Sequence, residues 1–269
     1  MRRPSHLTVK LIGFFVALLL ILPTLVVIPM SFTGKASFVF PPESWSLRWY
    51  REFFEDSAWY GSLQRSLLIA VLSAAVATVA GTMAALGLVK WTRARAVAGV
   101  RAILLSPIVV PGIVLAIGVY TAFLKFGIVG TTGAFVLAHA ALGLPYVLVS
   151  VSATLASVDP NLERAAVILG ATRWSVIRSV TLPLVMPGVL GGALFAFVTS
   201  FDEILVSLFI KSPFLETLPV RMYVSVVSDT DPTIAAASTI VLAITTAVLL
   251  LGAWGVSGRL RLMKGKAAR

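Results

Sequence analysis

Residues 66–89 read SLLIAVLSAAVATVAGTMAALGLV, an apolar run without a single Asp, Glu, Lys or Arg. About 20 mostly apolar residues suffice to carry a helix across the hydrocarbon of a bilayer. Within that layer no water is available to the backbone, so a lone segment satisfies its N–H and C=O groups only as a helix. Working outward, five more segments meet the same requirement: Leu11–Met30, Ile103–Leu124, Thr132–Leu155, Leu184–Ile210 and Thr233–Val256. The expectation is an all-α integral membrane protein of six transmembrane helices, with residues 1–269 forming a single transmembrane domain. Arg2 and Arg3 suit the charged start of a signal peptide. The run after them is long and lacks a small-x-small cleavage site, so it is read as the first span.

Composition agrees. The chain is 58% hydrophobic and 12% charged, where soluble domains carry about 25% charged residues. Absent cysteines exclude disulfides, thiolate metal sites and cysteine nucleophiles, and two histidines do not build a metal cluster alone. No metal site or catalytic residue is expected. No G-x-x-x-x-G-K-[ST] phosphate loop occurs, so energy must come from a partner or from an ion gradient.

Charge sets the orientation. With the N-terminus inside, 15 of the 22 basic residues face the cytoplasm, Arg2, Arg3, Lys90, Arg93, Arg95, Arg101 and Arg269 among them. The others, such as Lys35, Arg48, Lys125 and Lys211, lie outside beside the same number of acids. Positively charged loops stay cytoplasmic, so both termini are expected there. The surplus charge then points to lipid headgroups, not nucleic acid.

In the long outer loop, Leu47, Tyr50, Phe53 and Phe54 follow helical spacing, with Trp45, Trp49, Trp59 and Tyr60 around them. Aromatics at this density suit an interfacial helix at headgroup level, or a contact surface for an external binding protein. The basic loop Lys90–Arg101 is read as a stop-transfer anchor. Pro107 and Pro111 in the third span, and Pro145 in the fourth, are expected to kink or break their helices. His139, in the fourth span, is read as a hydrogen-bonded packing residue in preference to a proton relay.

Between spans four and five lies a polar insert, Asp159 to Pro183. Asp159 has the chemistry of a helix N-cap, with Pro160 at the first helical position, where its missing N–H is harmless. Leu162, Ala165, Ala166 and Leu169 share a face. Gly170 can end the helix in a left-handed conformation. Thr172 can cap a second short helix, with Trp174, Ile177 and Val180 placed to pack back toward the bundle and Pro183 stopping it. A docking element for a soluble partner is expected.

The pattern Ala165-Ala166, Gly170, then Val180-Thr181-Leu182-Pro183 resembles the EAA loop of the membrane subunits of binding-protein-dependent ABC importers. The six-span layout, Ser200-Phe201-Asp202-Glu203, Thr217-Leu218-Pro219 and Asp231-Pro232-Thr233-Ile234-Ala235-Ala236 are similar to its polyamine-type branch. The resemblance implies a non-catalytic permease subunit of a bacterial plasma (inner) membrane. Its partners would be a dimer of ATPase subunits that binds the ATP, a second and non-identical permease subunit, and an extracytoplasmic substrate-binding protein. It further implies ATPase coupling through Glu163, Arg164, Ala165, Ala166, Gly170, Leu182 and Pro183, and no cofactor of its own. The family's Glu falls on Arg164 here, with Glu163 one residue and about 100° away on a helix. Contact is therefore expected to rest on shape at Ala165, Ala166 and Gly170.

Asp202 and Glu203 are the only carboxylates inside an expected span. A charge at bilayer depth costs about 2.5–3.5 kcal/mol on insertion scales and so faces a cavity or a partner. One of the two is read as lining a substrate pathway, where it would attract a polycation, while the other bonds a neighbouring helix. Alternatively the span ends near Ser200 and both are wet. The rival functions are an ion-gradient-driven secondary transporter, an importer permease for a different small solute, and a non-transporting scaffold.

Overall fold

The fold was determined as a computed structural model, and it describes residues 6–36, 40–91, 94–228 and 231–267. Arg2, Arg3, Arg93 and Arg269 of the orientation argument lie outside the described residues, as do the side chains of Lys90, Arg259, Arg261, Lys264 and Lys266. Among the described residues twelve α-helices follow one another: α1 His6–Met30, α2 Arg48–Glu55, α3 Ser57–Lys90, α4 Ala94–Val109, α5 Gly112–Lys125, α6 Thr132–Ala156, α7 Pro160–Ile168, α8 Arg173–Val176, α9 Leu182–Phe201, α10 Leu205–Ile210, α11 Leu218–Ser228 and α12 Thr233–Ala267. A π-helical turn, Ile177–Thr181, joins α8 to α9.

Four of these helices are long and apolar enough to cross a membrane, and two bent pairs raise the number to six. One pair is the two halves of α1, bent by 40°; the other is α4 with α5, bent by 108°. Pro111 explains the second bend. It has no N–H to donate, and its ring bars Val110 from helical geometry, so the chain leaves the helix and restarts at Gly112. Pro145 behaves differently. It is buried inside α6, which runs on past it to Ala156, so the break expected there does not occur. The carbonyl it leaves without a partner is tolerated because packed neighbours hold the helix.

The chain divides into two compact units. The first combines residues 1–61 with 221–244. Here the predicted outer helix is α2, but its buried side chains are Trp49 and Phe53, while Leu47 and Phe54 are exposed. Trp59 is also buried, its ring tilted against that of Phe53 at 6.0 Å, so Trp49 and Trp59 are core residues and not headgroup anchors. Helix α2 is held to the end of α1 by the Tyr50 and Ser31 hydroxyls at 2.6 Å and by the Phe32–Tyr50 ring contact. An exposed aromatic group, Trp45, remains beside it.

The second unit combines residues 62–220 with 245–269, and α6 is its axis. In α6, 56% of the apolar window is buried, against 22% in α12. Ala77, Ala85, Val147, Val151, Val185 and Ala196 form one core between α3, α6 and α9. Ile69, Ala116, Phe135, Ala138, Val206 and Ile210 form another between α3, α5, α6 and α10. Lipid tails are as apolar as leucine, so close packing between small residues holds such helices together. A Cβ on Gly192 would stand 2.8 Å from the Val147 Cα, and one on Gly143 3.2 Å from the Ala196 Cα. The Ser150 hydroxyl donates across the same seam to the Gly188 carbonyl at 2.8 Å.

Three boundaries differ from expectation. Helix α4 starts at Ala94, so most of the supposed basic loop is helical, as its three alanines allow despite Gly99. The fifth span does not reach Ile210: it ends at Phe201, and α10 starts separately at Leu205. Helix α11 is an additional apolar helix of 11 residues before the last span.

Candidate functional site

Two places gather the residues singled out in the sequence. The first is the hairpin between α6 and α9. The Asp159 carboxylate accepts from the Asn161 N–H at 2.9 Å, with Pro160 in the first turn, as its cap chemistry requires. Gly170 sits at φ +87°. Its N–H bonds the Val167 carbonyl at 2.9 Å, and the Ala171 N–H bonds that of Ala166 at 3.0 Å. This double closure satisfies carbonyls that a helix end would otherwise leave open, and its left-handed residue suits glycine. The Thr172 hydroxyl then accepts from the Ser175 N–H and opens α8.

The second arm follows expectation at Ile177 and Val180, which are half-buried, and departs from it at Trp174. Trp174 is 70% exposed, and Val176 is the side chain buried there. Nor does Pro183 end a helix, because Arg173–Phe201 is one continuous 29-residue helix. The π turn accounts for this. A proline ring clashes with the carbonyl four residues earlier, and widening the turn moves that carbonyl away. The second arm of the hairpin therefore continues directly into the fifth span.

The faces of α7 are sorted by the same geometry. Glu163 and Ala166, three apart, are half-buried, and Glu163 accepts a hydrogen bond from the Thr181 hydroxyl in the π turn. This bond ties the two arms together and has no counterpart in the sequence reading. Arg164 is exposed, 3.4 Å from the Asn161 side-chain oxygen, and Ala165 is exposed beside it. Leu162 and Leu169, placed on one face with the alanines by their spacing, are exposed as well. Glu163, Arg164, Val167, Ile168, Arg173 and Val176 line a concavity of about 700 Å³. Ile168 and Leu169 stand more than four-fifths exposed at its edge. Leu182 is half-buried against the main core, and Pro183 is exposed.

The second place is the break between α9 and α10. Asp202 follows the last residue of α9 and is exposed. Glu203 turns inward, and its two carboxylate oxygens accept from the Val206 and Ser207 N–H groups at 2.7 and 2.8 Å. It thereby caps α10, whose first N–H groups have no helical partner. The two acids thus point apart, as adjacent positions at a helix boundary do.

His139 of α6, fully buried, completes the joint. Its Nδ1 lies 2.8 Å from the Ser200 hydroxyl and its Nε2 2.9 Å from the Ser207 hydroxyl. The Glu203 carboxylate lies 3.7 Å from Nε2. One imidazole therefore bonds the end of α9 and the start of α10 at once. Sequence reasoning treated His139 and Glu203 separately and missed Ser200 and Ser207. The available signal was an acid three residues before the apolar run Val206–Ile210.

The sequence profile of a family described as "binding-protein-dependent transport system inner membrane component" matches residues 77–257. The putrescine transport system permease protein PotI of Escherichia coli K12 is 32% identical over 263 residues, 96% of this chain and 89% of that protein. The spermidine/putrescine transport system permease protein PotC of Haemophilus influenzae is 30% identical over 238 residues, 88% of this chain and 92% of its own. Among solved structures, a bacterial ABC transporter involved in the import of the acidic polysaccharide alginate superposes with a TM-score of 0.70 at 14% identity, covering 95% of each chain. That last likeness speaks for the fold alone.

Proposed function

This chain belongs to the binding-protein-dependent transport system inner membrane component family, and on that premise we propose that it is the permease subunit of an ATP-driven importer of polyamines. It works in the inner membrane, with both termini in the cytoplasm, the side to which the positive-inside rule assigns the α7 hairpin. The observation that carries the reading is the form of that hairpin. Its apolar side chains Ile168, Leu169 and Trp174 project outward on an element that is rigidly capped at Asp159 and Gly170. An exposed apolar group on a rigid support suits a partner protein.

The partner is an ATPase subunit that binds and hydrolyses the ATP, received by the concavity along Glu163, Arg164, Ala165, Ala166 and Gly170. Leu182 and Pro183 lie where the hairpin arm becomes α9, so a displacement of α7 and α8 passes into the span as a lever. A second, non-identical permease closes the pathway, and an extracytoplasmic binding protein delivers the substrate. The names of the relatives support a polyamine, and the exposed Asp202 carboxylate is a fitting pathway group for a polycation. Glu203, with both oxygens engaged, serves as the joint between α9 and α10.

The test is reconstitution of the chain with its ATPase, second permease and binding protein in proteoliposomes. ATP inside should drive uptake of labelled putrescine or spermidine. Uptake by the chain alone on an imposed ion gradient would make it a secondary transporter and overturn the reading.

A further inference from the structure

Leu88 near the end of α3, Val97 and Arg101 on α4, Ser152 and Ala156 in the last turns of α6, and Pro160 at the start of α7 enclose a crevice of about 600 Å³. Its chemistry is split. Aliphatic side chains form most of the wall, and Arg101 is the one charged group lining it among the described residues. The Arg101 guanidinium has no carboxylate partner among the described residues. The first acid after it in the chain, Asp159, is committed to capping α7 through the Asn161 N–H.

The surroundings add to the positive potential and fix the depth. Lys90 ends α3, and Arg95 stands exposed in the first turn of α4. Trp91, between the two helices, is half-exposed, and tryptophan at a span end marks the headgroup level. Val97 and Arg101 are four apart and share one face of α4, so the guanidinium lies above an aliphatic floor. A small soluble anion would leave that floor without a partner, and a neutral lipid would leave the guanidinium without one.

We propose that this crevice binds an acidic phospholipid. The phosphate takes the planar guanidinium fork of Arg101, which matches its geometry with two parallel N–H donors. The glycerol and first methylenes lie against Leu88, Val97 and Ala156. Basic pockets between transmembrane helices at a membrane face hold anionic headgroups in this way. The site reaches Pro160, so its occupant touches the foot of α7. The proposal goes beyond the transport reading and needs only that the spans lie in a bilayer.

The experiment is native mass spectrometry of the full-length chain in detergent, offered phosphatidylglycerol and phosphatidylcholine together. Phosphatidylglycerol should remain bound at collision energies that strip phosphatidylcholine. In Arg101→Gln, retention should fall about ten-fold, the loss of one charge-assisted contact, while Lys125→Gln retains the lipid. Ala156→Phe, which fills the crevice and leaves Arg101 in place, should show the same loss. Equal retention of the two lipids by the unsubstituted chain would overturn the proposal, and so would unchanged retention in both crevice variants. Displacement of the lipid by inorganic phosphate would assign the site to a soluble anion and overturn it too.

Discussion

Gly170 shows how much one residue can decide. A Cβ built on it meets nothing within 4 Å, so a substitution there is opposed by its φ of +87° and not by a clash. The left-handed conformation costs an ordinary residue about 1–2 kcal/mol. Gly170→Leu adds bulk to the docking edge as well. The expected result is continued ATP hydrolysis by the assembled importer with uptake lost, and undiminished uptake would refute the coupling role. The neighbours Asp202 and Glu203 call for a paired experiment. Glu203→Ala strips two N–H groups of their acceptor and should cost about 1 kcal/mol, read as a lower thermal unfolding midpoint. Asp202→Asn should leave that midpoint in place and raise the KM for a polyamine. Matching midpoint shifts would erase the distinction. The caps at Asp159 and Thr172 and the turn at Gly170 were legible because each depends on residues two or three apart. Glu203 was not: a span end near Ser200 was one of two readings, but neither placed a separate helix from Leu205 for it to cap.

At the scale of elements, apolar length located the candidate spans but did not show continuity: four helices qualify outright and two more only as bent pairs. Pro111 and Pro145 carry the same local chemistry, yet one ends a helix and the other lies inside one. Pro183 likewise sits in a helix that continues, because a π turn precedes it. The tight seam between α6 and α9 gives a direct test. A Cβ on Gly188 would stand 2.8 Å from the Ser150 carbonyl oxygen, which is backbone and cannot yield cheaply. Gly188→Val should therefore destabilise by about 1–3 kcal/mol, as overpacking does. By contrast Gly118, in α5, has nothing within 4 Å of such a Cβ, so Gly118→Ala should be neutral or stabilise by about 0.5–1 kcal/mol. Unfolding midpoints in detergent measure both, and equal shifts would contradict the packing account. The outer helix repeats the theme. Its existence followed from spacing, but the choice of Trp49 and Phe53 as the buried pair depended on which neighbours α1 and Trp59 brought to it.

For the whole molecule, the proposed function predicts a strict division of labour: this chain alone should neither hydrolyse ATP nor move substrate. In proteoliposomes holding the complete importer, uptake should stop when ATP is withheld, and an imposed proton or sodium gradient should not restore it. Restoration by a gradient would return the secondary-transporter reading. What the amino-acid sequence determined by itself was whatever rests on local or summed properties. Those are the apolar segments long enough to cross a membrane, the capped hairpin and, through its motif, the family. Solvation free energy adds along a segment, and caps act over a single turn, so neither needs a tertiary partner. Only the tertiary structure decided which acid is exposed and which is a cap, which prolines interrupt a helix, and that His139 joins α6 to both sides of the α9–α10 break. The last of these depends on groups more than 60 positions apart meeting at hydrogen-bond distance, and a pattern read along one chain carries no measure of that approach.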